Sequence, residues 1–270
     1  MSAIAPSAAP QTPRSVNGLG LMTLTLREIR RFLKVYVQTV LAPVATTLIF
    51  LAVFVLAMGD SMARTLVDGL PFPVFLAPGL IMMAMAQNAF ANTSSSLVIA
   101  KIQGNIVDVL MAPLSAAELS IAYTLGGVVR GLVVGLAVSL AMLPFVPLQI
   151  HSIAAILFYA VMASAMLSLL GVAGGIWADK FDHIAAVTNF IVTPLSFLSG
   201  TFYSIERLPD SLRFLAHINP FFYMIDGFRF GFTGHADASL LSGGLLLAGC
   251  NLGLGWLVWS MFRSGYKLKA

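Results

Sequence analysis

The chain has 270 residues, 59% of them apolar and only 10% charged, with a formal net charge of +4. Soluble domains carry about 25% charged residues, so a mean hydropathy of +0.92 excludes a water-soluble globule and points to an integral membrane protein. The 15 basic residues are spread through an oily chain in a way that suits membrane topology and not nucleic acid, and the single cysteine, Cys250, excludes an internal disulfide.

In chain order, residues 1–20 read as a disordered tail. The first 18 are rich in Ala, Pro and Ser and lack the apolar core of a signal peptide. "LMTLTLREIRRFLK", residues 21–34, places Arg27, Arg30, Arg31 and Lys34 on one helical face and Leu26, Ile29 and Leu33 on another. This predicts a helix in the membrane interface with its cations among anionic headgroups. A simple positive-inside anchor and a docking element for a cytoplasmic partner are both open readings.

Six spans of about 20 apolar residues follow: Val35–Met58, Pro73–Ala91, Ala116–Leu143, Ile150–Ile176, Ile184–Phe202 and Leu240–Phe262. The expected fold is therefore all-α, since lipid demands internally satisfied backbone. An even number of spans puts both termini on one side. Ten Lys and Arg residues fall on that side and four on the other, which makes it the cytoplasm.

Between the second and third spans, Lys101, Asn105 and Asp108 share one face of a short helix, and Ile102, Ile106, Val109 and Leu110 share another. Pro113 ends it. "SAAE", Ser115 to Glu118, then matches a capping box that starts the third span. Residues 101–113 thus form a surface elbow joined stiffly to a membrane helix; an ordinary amphipathic loop is the plainer reading.

Arg130 lies 15 residues beyond Ser115, about 22 Å along the helix and near the bilayer centre. Insertion there costs about 2.5–3.5 kcal/mol, so the side chain must face protein or water. Gly127, Gly131 and Gly135 flank it in overlapping GxxxG patterns that permit close helix approach. Backbone carbonyls, or Asp226 further along, are its expected partners. Residues 204–237 hold two short helix signals: one with Asp210 as N-cap, the other with Asn219 as N-cap and Pro220 at the first helical position. With Asp226, Gly227, Arg229 and five Phe, the second suits a hairpin dipping back into the outer leaflet; an aromatic belt at the interface fits equally.

No phosphate-cradling GxxxxGK[ST], HExxH or GxSxG is present. No facing carboxylates suit ion coupling, and His151, His183, His217 and His235 are scattered at span ends and in loops. Asn92-Thr93-Ser94 fits a glycosylation sequon only by chance. No catalytic, cofactor or metal site is expected, so any active transport draws its energy from another subunit.

"RRFLKVYVQTVLAPV", "FLAPGLIMM", "NIVDVLMAPLSAAEL", "GGVVRGLVVG", "FIVTPLSFLSGTFYS" and "INPFFYMIDGFRFGFTG" together resemble the permease subunits of ABC type-2 exporters, in particular their YadH-like bacterial branch. The likeness runs from residue 21 to the C-terminus, in the family's order and spacing. It implies a permease domain over 21–270, with a connecting helix at 21–34, a coupling helix within 101–113 and a re-entrant segment at 204–237. It implies a homodimer in a bacterial inner membrane, partnered by separate ATPase subunits that bind ATP and magnesium. It also implies export of a hydrophobic or amphipathic substrate: a drug, lipid, glycolipid or polysaccharide. The contrasting expectation is an ATP-independent channel or passive flippase using the Arg130 face.

Overall fold

A computed structural model describes residues 16–57, 66–67, 69–203 and 209–268. Arg14, Arg64, Arg207, Lys269 and most of the N-terminal tail lie outside the described residues.

Helix α1, Gly18–Leu33, begins at the N-cap Asn17, whose side chain accepts the Gly20 amide. A π-turn at Val37–Leu41 leads into α2, Ala42–Ala57. A two-stranded antiparallel hairpin, β1 Leu66–Val67 and β2 Leu70–Pro71, interrupts the helical chain. Then come α3 Phe72–Ile102, α4 Ile106–Met111, α5 Ala116–Met142 and α6 Ile153–Trp177. The chain continues with α7 Phe181–Val187, a second π-turn at Thr188–Val192, and α8 Thr193–Phe197. It closes with α9 Asp210–Ile218, α10 Pro220–Thr233 and α11 Leu240–Ser264.

Among the described residues, five helical stretches are long and apolar enough to cross a membrane: Val37–Val55 and the helices α3, α5, α6 and α11. The run expected as the fifth of six spans is not one of them. It consists of α7, the π-turn and α8, of 7, 5 and 5 residues, and it ends well before Phe202.

The largest departure from expectation is α3. It has 31 residues, about 46 Å at 1.5 Å per residue, and it runs past the expected end at Ala91. The sequence "NTSSS" from Asn92 looks like the polar end of a span. Instead Thr93, Ser94 and Ser96 are buried. Ser94 and Ser95 donate back to the Phe90 and Ala91 carbonyls at 2.8 and 2.6 Å, and Thr93 reaches across to the Ser168 carbonyl at 2.8 Å. Short hydroxyls that bond the preceding turn hide their polarity and let the helix continue.

The bundle is built around α3. Its core joins Phe75, Ile81, Met82, Phe90, Val134, Leu167 and Ile225 of α3, α5, α6 and α10. A second apolar cluster collects Leu24 of α1, Leu97 of α3, Ile106 and Val109 of α4, Tyr123 of α5, Ile176 of α6 and Phe262 of α11. It lies at the end of the bundle where α1 and α4 dock.

The glycines of α5 face this packing directly. A β-carbon at Gly131 would sit 2.7 Å from Ser164 Oγ and 3.2 Å from the Met85 carbonyl oxygen. At Gly127 it would collide with Ser168, and at Gly135 with the Met85 side chain. The GxxxG face is thus the seam at which α3, α5 and α6 converge.

Candidate functional site

The elbow is one turn and a half of helix held between two membrane helices. Gly104, at φ +76°, separates α3 from α4, a conformation that suits glycine. Lys101 and Ile102 therefore belong to α3, and they do not share a face with Asn105 and Asp108. On α4 itself, Ile106 and Val109 are buried in the second cluster, while Asn105, Val107, Asp108 and Met111 are exposed. Ala112 is extended, and Pro113 leads to Ser115.

The capping box is present. Ser115 Oγ accepts the Glu118 amide at 3.3 Å, and Glu118 Oε2 accepts the Ser115 amide at 2.7 Å. Glu118 does more than cap α5. Its Oε1 accepts the backbone amide of Asn17, and the Asn17 side chain donates to the Pro113 carbonyl at 3.1 Å. One carboxylate and one asparagine thus tie the start of α1 to the turn between α4 and α5. The approach is close: a β-carbon at Gly20 would lie 2.8 Å from Leu114. A cleft of about 340 Å³ runs between α1 and α4, with Arg27, Asp108 and Pro113 among its walls.

Lys101 is committed elsewhere. Its Nζ donates to the Ile176 and Ala178 carbonyls at 2.8 and 2.7 Å and pairs with Asp179 at 3.3 Å. Lys267 donates to the Trp177 carbonyl at 3.0 Å and to Asp179 at 2.8 Å. Two cations cap the orphan carbonyls at the end of α6, where the helix dipole favours positive charge. The hydrogen bond from Lys267, with help from Lys101, holds the Asp179 carboxyl below its ordinary range, and the same bond raises Lys267.

On α1, the buried residues are Leu24, Glu28 and Phe32. Arg27, Arg30 and Lys34 are exposed. Arg31 departs from the expected all-basic outer face. It pairs with the fully buried Glu28 at 3.2 Å and donates to the Asn92 carbonyl and side chain at 2.6 and 3.0 Å. Glu28 is accommodated because Gly126 of α5 has no side chain: a β-carbon there would lie 2.6 Å from Glu28 Cβ.

Arg130 is 9% exposed. Its partner is the side-chain oxygen of Asn88 on α3, at 2.9 Å, in place of the expected backbone carbonyl or Asp226. Asp226 instead accepts the Asp237 and Ala238 amides at 2.9 and 3.0 Å, fixing the turn into α11. Asn88 stands in the wall of two cavities. One, of about 330 Å³, lies between α2, α3 and Phe202; the other, of about 360 Å³, lies between α3 and residues 181–193.

In the α9–α10 pair, Asn219 ends one helix and caps the next, accepting the Phe221 amide at 3.0 Å and donating to the Leu195 carbonyl at 2.7 Å. Pro220 is the first helical residue, and Pro209, not Asp210, occupies the cap position of α9. Gly227 lies under the Tyr159 ring, where a side chain would collide. Arg229 is buried, with its guanidinium 3.8 Å from the Phe75 ring centre and 2.7 Å from the Gly200 carbonyl.

Sequence reasoning passed over Asn17, Glu28, Asn88 and Asp179. A lone acid inside a basic helix, and Asn88 and Asn92 at i, i+4 inside an apolar span, were the available signals.

A multi-pass helical bundle with a surface helix docked on one end and a capped elbow defines an integral membrane protein. Residues 20–233 match the model of the ABC-2 type transporter family, and the chain belongs to that family. It is similar to the "Inner membrane transport permease YadH" of Escherichia coli strain K12, 37% identical over 252 residues that cover 93% of this chain and 98% of the relative. The protein of the same name from Shigella flexneri matches to the same extent.

Proposed function

We propose that this chain is the permease subunit of an ATP-driven exporter in a bacterial inner membrane, forming the pathway for a hydrophobic or amphipathic substrate. Two copies act with separate ATPase subunits, which bind the ATP and magnesium. Membership of the ABC-2 family and the relatives' names as inner membrane transport permeases support this reading.

The observation that carries the mechanism is the elbow. Asn105, Asp108 and Met111 of α4 face outward, while Pro113, the Ser115–Glu118 box and Asn17 lock α4 to α5 and α1. A soluble motor that presses on the outer face therefore moves two helices together, a gating step in which closure in one part becomes a tilt in another. Residues 181–197 complete a sixth crossing, which returns both termini to the cytoplasm. Helices α9 and α10 dip into the outer leaflet without crossing it, which agrees with the burial of Phe221, Phe222 and Phe228 against the bundle. Arg27, Arg30 and Lys34 rest among lipid headgroups.

The test is co-purification with an ATPase, sought first in the reading frames beside this one. Asp108→Lys reverses the charge on the outer face of the elbow and lowers recovery of the ATPase without loss of folded permease. Unchanged recovery places the docking face elsewhere, and absence of any ATPase partner for the wild type favours an ATP-independent channel or flippase.

A further inference from the structure

Three carboxylates are buried among the described residues: Glu28, Glu118 and Asp226. Each is spent. Glu28 pairs with Arg31 and Arg27, Glu118 caps α5 and holds Asn17, and Asp226 accepts two loop amides. Arg130, 9% exposed, has only the neutral amide of Asn88 among the described residues, and its Nε has no hydrogen-bond partner there. Among the described residues it is a cation in the middle of a membrane helix with no acidic partner. Ionisable groups in that position mark pathways and sites.

The space beside this pair is two-ended. On α2 the cavity wall runs from Gln38 to Phe50, and on α3 from Asn88 and Gln87 to Leu80. The two helices run antiparallel, so the amides of Gln38, Gln87 and Asn88 gather at one end. Phe50, Leu80 and Phe202 gather at the other. The second cavity shares Gln87 and Asn88 and adds Ser95 and Thr188. Arg130 is not itself a wall residue: it lies behind Asn88, whose oxygen accepts from it and whose amide nitrogen donates to the Ala84 carbonyl at 3.0 Å, and the apolar end points away from this pair.

We propose that Arg130, held behind Asn88, forms the headgroup subsite of the pathway and selects an anionic amphiphile: a phosphate or carboxylate headgroup among the amides, with its tail along the apolar wall. The inference rests on the permease reading. An anion held by these amides lies in the field of the guanidinium behind Asn88 and offsets its charge, and that attraction is strengthened where water is excluded. A neutral amphiphile fills the same space but leaves the charge unpaired.

Binding to the full chain in neutral-detergent micelles tests this, with decyl phosphate, decyl maltoside and inorganic phosphate as probes. The wild type prefers decyl phosphate to decyl maltoside by about tenfold or more. Inorganic phosphate binds more weakly than decyl phosphate by well over about tenfold, the worth of burying only two methylenes of the tail. Arg130→Gln removes the preference. Asn88→Asp is the decisive variant: it places a carboxylate beside Arg130, keeps the pair folded, and removes the preference by supplying an internal counter-ion. Three results overturn the proposal: no preference in the wild type, a preference that survives in Asn88→Asp, or inorganic phosphate binding as tightly as decyl phosphate. None of these depends on an ATPase, so failure here is separate from failure to recover an ATPase partner.

Discussion

The elbow joint and the membrane interior are both polar, and they treat polarity in opposite ways. At the joint, both Glu118 oxygens are hydrogen-bonded, and the Asn17 side chain uses both its donor and its acceptor. Deeper in the bundle the interior is under-satisfied. Asn92 Nδ2, Ser164 Oγ, Ser168 Oγ and Arg130 Nε are buried there without hydrogen-bond partners. Satisfied buried networks rigidify, and unsatisfied ones are costly and call for a functional account. The contrast separates a closed joint, which the proposed function makes the part that transmits force, from an interior with polar groups left open.

The seam between α3, α5 and α6 is the common foundation of both regions, so breaking it has the largest effect. Gly131→Leu drives a side chain into Ser164 and the Met85 carbonyl. Overpacking of this kind costs about 1–3 kcal/mol, and here part of the obstacle is backbone. Size-exclusion profiles of the solubilised protein should show loss of the monodisperse peak, whereas Gly249→Leu, with open space around it, should leave the profile intact.

Asn17→Ala sharpens the contrast from the joint side. It removes the α1 cap and the bond to Pro113, at a cost of about 1 kcal/mol. The bundle should remain folded with a lower melting temperature, and hydrogen exchange should rise at the start of α1 and stay unchanged in α3. Exchange rising equally in α3 would mean that joint and interior are one unit.

The smallest effect is expected at the Asp179 clasp, which is exposed. Its carboxyl is depressed, so its contribution is present above the ordinary carboxylate pKa and lost as pH falls through the lowered folded value. Lys267 is raised, so its contribution is complete below the ordinary lysine pKa and lost only as pH climbs through the raised value. Asp179→Asn should lower the neutral plateau of a melting-temperature profile slightly, leave the acid end unchanged, and so flatten the acid limb by the same small amount.

Much of the joint was legible because capping is local: Ser115 and Glu118 sit three residues apart, and Pro113 announces the break. Asn219 and Pro220 were legible for the same reason. Asn17 was not, because its partners lie about a hundred residues away. The end of α3 was misread because Ser and Thr look polar in a list yet satisfy themselves against the preceding turn. Arg31 was placed outward because its spacing matches Arg27 and Lys34; only the fold brings Asn92 within reach. Arg130 stood out by its cost alone, but its partner Asn88 depends on how two helices meet.

The most direct test of the central claim is a spin-label distance between Val107 on α4 and Leu140 on α5, both exposed, in a Cys250→Ser background. Labelled copies are diluted into unlabelled ones, in complex with the proposed ATPase partner, with and without ATP. The account predicts one narrow distance that ATP leaves unchanged, and a broadened, ATP-sensitive distribution when Gly-Gly replaces Ala112-Pro113. A distance that shifts with ATP in the unaltered joint would contradict it, because the elbow would then swing on its hinge instead of moving α5.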